Sequence, residues 1–169
     1  MRSPTTLEPL PLIGAAPLIS IRAATEAHVW PLTALIAEHM PAGGLLPRSA
    51  GDIRATLRTW IVAEMDGTLA GCGALRQMSP TRMELRSLVV RSAYRGYGIG
   101  ATLVRTLVAR AWQGQADTVY ALTRAVPFFA RLGFVVTDLA LLTEKVARDC
   151  MPCPLQTRCD ETAMWLHRS

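Results

Sequence analysis

Residues 84–111 read ELRSLVVRSAYRGYGIGATLVRTLVARA: an apolar run, an Arg-Gly turn with three glycines in five positions, then an amphipathic pattern. The run ends as a buried strand would, and Leu103, Leu107 and Ala111, with Val104 and Val108, mark one face of a helix. A helix that starts at the glycines presents unpaired N–H groups and the positive end of its dipole. Glycine leaves no Cβ between those amides and an anion, and Arg95 adds a charged donor. A phosphate or pyrophosphate cradle is therefore the leading reading; a tight turn with close strand–helix packing is the alternative. The spacing does not match the dinucleotide fingerprint G-x-G-x-x-G. It also lacks the G-K-[ST] ending of a nucleoside triphosphate loop.

The rest of the chain predicts one mixed α/β domain around this junction. With 169 residues, half of them apolar, it can bury one sizeable core. The net charge of +5 fits either a solvated basic surface or attraction to an anionic ligand. No basic run with interleaved aromatics points to nucleic acid, and no apolar stretch reaches the ~18–20 residues of a membrane span. Residues 1–18 mix prolines, leucines and Glu8 and read as a loose leader rather than an export signal, with the domain at 19–169. A cytoplasmic setting follows, in which the four cysteines are thiols or metal ligands rather than disulfides.

Strands are predicted at 18–25, on both sides of the Asp66-Gly67 turn, at 83–90, at 118–123 and along FVVTDLALL (134–142). Helices are predicted after Thr25, with Pro31 near the start, after a Ser49/Asp52 capping box, after the glycines, and over AVPFFARLG up to Gly133. Helices should cover the faces of the resulting mixed sheet.

Arg95-Gly96-Tyr97-Gly98-Ile99-Gly100 fits the R/Q-x-x-G-x-G/A signature of the GNAT acetyltransferase superfamily, and LVVRSAYRGYGIG resembles its fourth-strand, third-helix junction. FFARLGF is similar to the superfamily's F-[FY]-x-x-x-G-F segment, so the resemblance spans roughly residues 20–145. It implies a mostly antiparallel central sheet with a bulged fourth strand that splays from TVYALT. Acetyl-CoA would place its pyrophosphate on the amides of Arg95, Gly96, Tyr97, Gly98, Ile99, Gly100 and Ala101. Its pantetheine would pair with the backbone of Leu88, Val89 and Val90.

LLPRS…DIRATLRTWIVAEMDGTLAGCGAL…MELRSLVV and LLTEKVARDCMPCPLQTRCDETAMW resemble short amino-acid N-acetyltransferases of the N-acetylglutamate synthase type. That resemblance implies acetylation of the α-amine of glutamate or a similar amino acid, in arginine biosynthesis; a homodimer is implied only by analogy with the superfamily. Guanidinium forks grip carboxylates, which makes Arg48 and Arg86 the candidate acceptor ligands, with Lys145 a third. Each also has a plainer reading, as a solvated or strand-face charge. The likeness implies Glu84 as the acceptor of the amine's proton and the Leu88 amide as donor to the developing oxyanion. Phe129 stands where many relatives carry a tyrosine acid, and Tyr120 reads as packing. That vacancy keeps open a non-catalytic acyl-CoA-binding module, beside an acetyltransferase for another small amine or a peptide N-terminus.

Cys150, Cys153 and Cys159 follow C-x₂-C-x₅-C within a tail at 145–169, and His167 would complete a Cys₃His zinc site. Reduced thiols in a packed tail are the favoured reading over zinc, with a redox role as a further option. Cys72 reads as a small core residue, and His28 and His39 as surface helix residues.

Overall fold

The bulge foreseen in the fourth strand is present, and it organises the sheet around it. A computed structural model describes residues 16–40 and 45–169. Seven strands run in the order β1-β2-β3-β4-β5-β7-β6, with β1 Ile19–Ala23, β2 Trp60–Met65, β3 Thr68–Gln77, β4 Arg82–Val90, β5 Thr118–Thr123, β6 Val135–Val136 and β7 Thr162–His167. All pairs are antiparallel except β4–β5. Asp66 and Gly67 both adopt positive φ, 49° and 78°, as a two-residue hairpin turn between β2 and β3 requires.

One face of the sheet carries α3, Ile99–Gln113, whose Leu103, Val104, Leu107 and Ala111 are buried against Ile61, Ala63 and Leu85. Each such leucine contributes about 1.5–3 kcal/mol by burial. The other face carries α1, Val29–His39, and α2, Ala50–Ala55, whose Leu32, Leu35, Ile36 and Ile53 pack on Val62, Cys72 and Val89. Pro31 lies in the first turn of α1, where its missing N–H costs no helical bond. Ser49 and Asp52 form the expected reciprocal cap of α2, with Asp52 N donating to Ser49 Oγ at 3.0 Å and Ser49 N to Asp52 Oδ2 at 3.1 Å.

Close approach of the β4 backbone at one point and of α3 at another calls for glycine on β3. A Cβ at Gly71 would stand 2.6 Å from the Val89 carbonyl oxygen, and one at Gly73 would stand 2.8 Å from Leu107 Cδ1. Gly71→Ala is expected to lower stability by about 1–3 kcal/mol, because backbone must shift to admit the methyl. A thermal melt unchanged to within a degree would contradict this.

Three expectations are corrected. The stretch 134–142 is not one strand: only Val135 and Val136 pair, and Asp138 Oδ1 then accepts from Ala140 N at 2.9 Å, turning the chain into a short 3₁₀ segment, Leu139–Leu141. The tail supplies β7, which inserts between β5 and β6. His28 is buried, not a surface residue; its Nδ1 lies 2.8 Å from Thr25 Oγ1 and its Nε2 3.4 Å from Glu64 Oε1. The leader at 1–18 lies almost wholly outside the described residues. No helix among those described is long and apolar enough to cross a membrane.

Candidate active site

In the β3–β4 register Cys72 faces Val89 and Ala74 faces Arg86, so Ser87 and Leu88 together stand opposite Gly73. Two residues against one make a bulge, and Ser87 absorbs it at φ 53°. Beyond the bulge β4 no longer pairs with β5; their ladder covers only Arg82 to Glu84 against Thr118 to Tyr120. The strands diverge into an open cleft of about 420 Å³, with Leu88, Val89 and Val90 on one wall and Ala121, Leu122 and Thr123 on the other. Unpaired strand backbone facing a cleft can accept an extended ligand as an added strand.

The glycine turn lies where β4 passes into α3. Gly96 and Gly98 adopt φ 87° and 76°, a region open to glycine and strained for other residues. Gly98 is the N-cap of α3 and brings no capping side chain. The first-turn amides of Ile99, Gly100 and Ala101 are therefore left for an external acceptor. Arg95 is the exception among the expected cradle amides, because its N–H already donates to Ser92 O at 3.2 Å. Its side chain lines the cleft instead. No atom lies within 4 Å of where a Cβ would stand at Gly96 or Gly98, so the space over the turn is open. These features fit a pyrophosphate with an extended pantetheine arm.

At the closed end of the cleft, Glu84 is buried in β4 beside Tyr120 of β5. Its Oε1 accepts from Lys145 Nζ at 2.6 Å. Its Oε2 is buried with no hydrogen-bond partner; Arg86 Nη2 stands 3.3 Å away without bond geometry. Lys145, on the short helix α4, Thr143–Lys145, is buried rather than on the surface. It also donates to Asp149 Oδ2 at 2.8 Å. Asp149 sits one turn later, on a π-helical turn, Val146–Cys150, and accepts as well from Arg76 Nη1 at 2.9 Å and Arg86 Nη2 at 3.1 Å. Burial pushes its carboxyl up, but Lys145, Arg86 and Arg76 outweigh that and hold it below the usual carboxylate range.

Arg48 enters the same cleft from the loop before α2 and makes no hydrogen bond or ion pair with the described residues. Burial and the neighbouring Arg86 charge lower the pKa of its guanidinium. Glu161, just before β7, closes the opposite side, and burial pushes its carboxyl up.

The fold thus brings Glu84, Arg48, Arg86 and Lys145 into one cleft with Leu88 and Arg95. Sequence reasoning missed Asp149, Arg76 and Glu161. Only Asp149 left a local signal, four residues after Lys145 on what would be one helical face.

Tyr120, beside Glu84, and Phe129, on the cleft wall, border this chemistry but act as packing. Tyr120 packs on Met78, Leu142 and Ala163, and burial together with the Glu84 charge raises its pKa, which makes it a poor acid. Phe129 is buried edge-on to Phe128 and Phe134, each at 5.2 Å. The cysteines are free thiols, and among the described residues no three His, Cys, Asp or Glu side chains gather as a metal-holding group. His167 is drawn away into β7, with Nδ1 3.1 Å from Thr118 Oγ1. Cys72 is core, its thiol pushed up to about 12 by burial.

The chain is similar to several known proteins. An uncharacterized N-acetyltransferase of Chlorobaculum tepidum is 34% identical over 72% of this chain and 79% of its own length. An amino-acid acetyltransferase of Mycobacterium tuberculosis is 35% identical over 52% of this chain, matching about half of its own length (51%). One from Shewanella oneidensis is 28% identical over 74% of this chain but is matched over only 28% of its own.

Among solved structures, a Mycobacterium tuberculosis protein in complex with CoA and NLQ superposes with a TM-score of 0.77 at 23% identity, covering 89% of this chain and 99% of that one. N-acetylglutamate synthase from Neisseria gonorrhoeae, complexed with coenzyme A and N-acetyl-glutamate, gives 0.77 at 24% identity, over 89% of this chain and 36% of that one. Residues 26–134, well over half of the chain, match the model of the acetyltransferase (GNAT) family, and the chain therefore belongs to that family.

Proposed function

We propose that the chain moves the acetyl group of acetyl-CoA to the α-amine of glutamate or a similar amino acid. The observation that carries this reading is the convergence of a buried carboxylate, Glu84, with Arg48, unpaired among the described residues, at the vertex of the β4–β5 cleft. The named relatives that act on amino acids or were solved with N-acetyl-glutamate support the acceptor class. When bound, acetyl-CoA supplies an electrophilic thioester carbonyl. The amides of residues 96–101 hold its pyrophosphate, and Arg95 adds its charge. Leu88, which shares Gly73 with Ser87 at the bulge, offers its N–H to the developing oxyanion.

An α-ammonium has no lone pair until it loses a proton. Glu84 Oε2 takes that proton, directly or through a water, while Lys145 holds Oε1 in place. Arg48 and Arg86 receive the acceptor's carboxylate, with Lys145 behind them. We place the enzyme in the cytoplasm and, by analogy with the family, as a homodimer.

The test is thiol release from acetyl-CoA against a panel of amino acids, other small amines and a peptide N-terminus. Turnover confined to non-amino-acid amines would overturn the acceptor assignment, and CoA binding without any turnover would favour a binding module. Arg48→Ala is expected to raise KM for the amino acid about 10–100-fold with little change in KM for acetyl-CoA, as expected for loss of a charge-assisted hydrogen bond. An unchanged acceptor KM would place the carboxylate elsewhere.

A further inference from the structure

We propose that Asp149 is a specificity-determining residue that limits the negative charge an acceptor's side chain can carry into the cleft. The inference rests on the amino-acid reading of the cleft and deepens it. Arg48, Arg86 and Lys145 line the closed end of the cleft, and Arg76 joins this group through Asp149 from behind the lining. Asp149 engages three of them at once, taking Lys145 Nζ at 2.8 Å and Arg86 Nη2 at 3.1 Å on Oδ2, and Arg76 Nη1 at 2.9 Å on Oδ1 and 3.2 Å on Oδ2. Glu84 takes a further share of Lys145. An internal carboxylate thus already bridges Arg86 and Lys145, the pair that a second substrate carboxylate would need.

Asp149 is also held in place. It follows Lys145 by one turn, and Met151 N donates to Val146 O at 2.9 Å across the π-helical turn that carries it. A second acceptor carboxylate must either displace this anion from three cations or lie beside it. Like charges at short range in a half-buried site are costly on either route. Arg48 is differently placed: no protein carboxylate neutralises it among the described residues, and Arg86 keeps its buried Nε without a partner. One carboxylate, the α-carboxylate every amino acid has, can be gripped there. The arrangement favours an acceptor with a neutral polar side chain over its dicarboxylic counterpart.

The test compares kcat/KM for L-glutamate with that for L-glutamine, its neutral isostere, at saturating acetyl-CoA. Asp149→Asn keeps the shape, removes the charge and frees Arg76, Arg86 and Lys145. It is expected to raise the glutamate-to-glutamine ratio at least about tenfold. Arg76→Gln removes a cation and leaves Asp149 less neutralised, so the ratio is expected to fall. A purely structural Asp149 would lower both values together in both variants, and a ratio constant to within about twofold overturns the proposal. If Asp149→Asn fails to fold, the direction of the Arg76→Gln ratio decides alone. Absence of amino-acid turnover in the wild type, with another amine accepted, sinks the reading of the cleft itself; amino-acid turnover with an unmoved ratio sinks only the role of Asp149.

Discussion

Glu84→Gln is expected to lower kcat by about 10²–10⁴-fold, the usual yield of a positioned general base, while KM for acetyl-CoA stays nearly constant. Glutamine keeps the volume of the buried side chain but cannot accept the proton of an ammonium. The pyrophosphate cradle begins at Arg95, beyond the six residues that lead from Glu84 to the end of β4 at roughly 3.3 Å each, so cofactor affinity should hardly feel the change.

A structural cost accompanies the chemical one. The variant weakens the 2.6 Å pair with Lys145, whose ammonium is buried. Breaking a buried pair outright costs about 3–5 kcal/mol, but Asp149 still holds Lys145 at 2.8 Å, which reduces the loss. A melt alongside the kinetics separates the two effects. A folded variant that keeps kcat to within about threefold would move the base elsewhere. Glu161, whose carboxyl is raised by burial on the facing wall, would then be the next group to test.

The second large effect is expected from Gly98→Val, with KM for acetyl-CoA rising about 100-fold and acceptor KM little altered. A Cβ here meets no neighbouring atom within 4 Å, so a clash at that carbon is not the obstacle. The obstacle is the backbone: φ 76° is left-handed, costs a non-glycine residue about 1–2 kcal/mol, and is worse for a β-branched one. Relief of that strain turns the first amides of α3 away from their common focus, and the new side chain enters the space the phosphate needs. Calorimetry with CoA alone reads this directly. An affinity reduced by less than about threefold would show that the pyrophosphate is not held on this turn.

The two predictions differ in how much of their basis a reader could see in the chain. The glycine turn and its helix were legible because the signal is local: positive φ demands glycine, and the apolar face of α3 repeats at helical spacing within fifteen residues. The Asp66-Gly67 hairpin and the Ser49/Asp52 cap were legible for the same reason. The stretch after Phe134 misled because its apolar run suits a strand, whereas one side chain, Asp138, captures a backbone amide and bends it. The tail was opaque as well. Its cysteines read as thiols of a packed tail, with zinc the lesser option, while TAMWLH supplied β7 through alternation too short to stand out.

What the sequence determined by itself is the cofactor side of this protein: a strand, a turn that only glycine can make, and a helix N-terminus, all within one stretch where each residue acts on its near neighbours. What only the tertiary structure decided is the acceptor side. Lys145 reaches Glu84 across 61 residues, and Asp149 reaches Arg86 across 63 and Arg76 across 73. Charges paired over such distances leave no periodicity or spacing to read. The sheet must first bring β3 and β4 under the Val146–Cys150 turn before these charges meet at all.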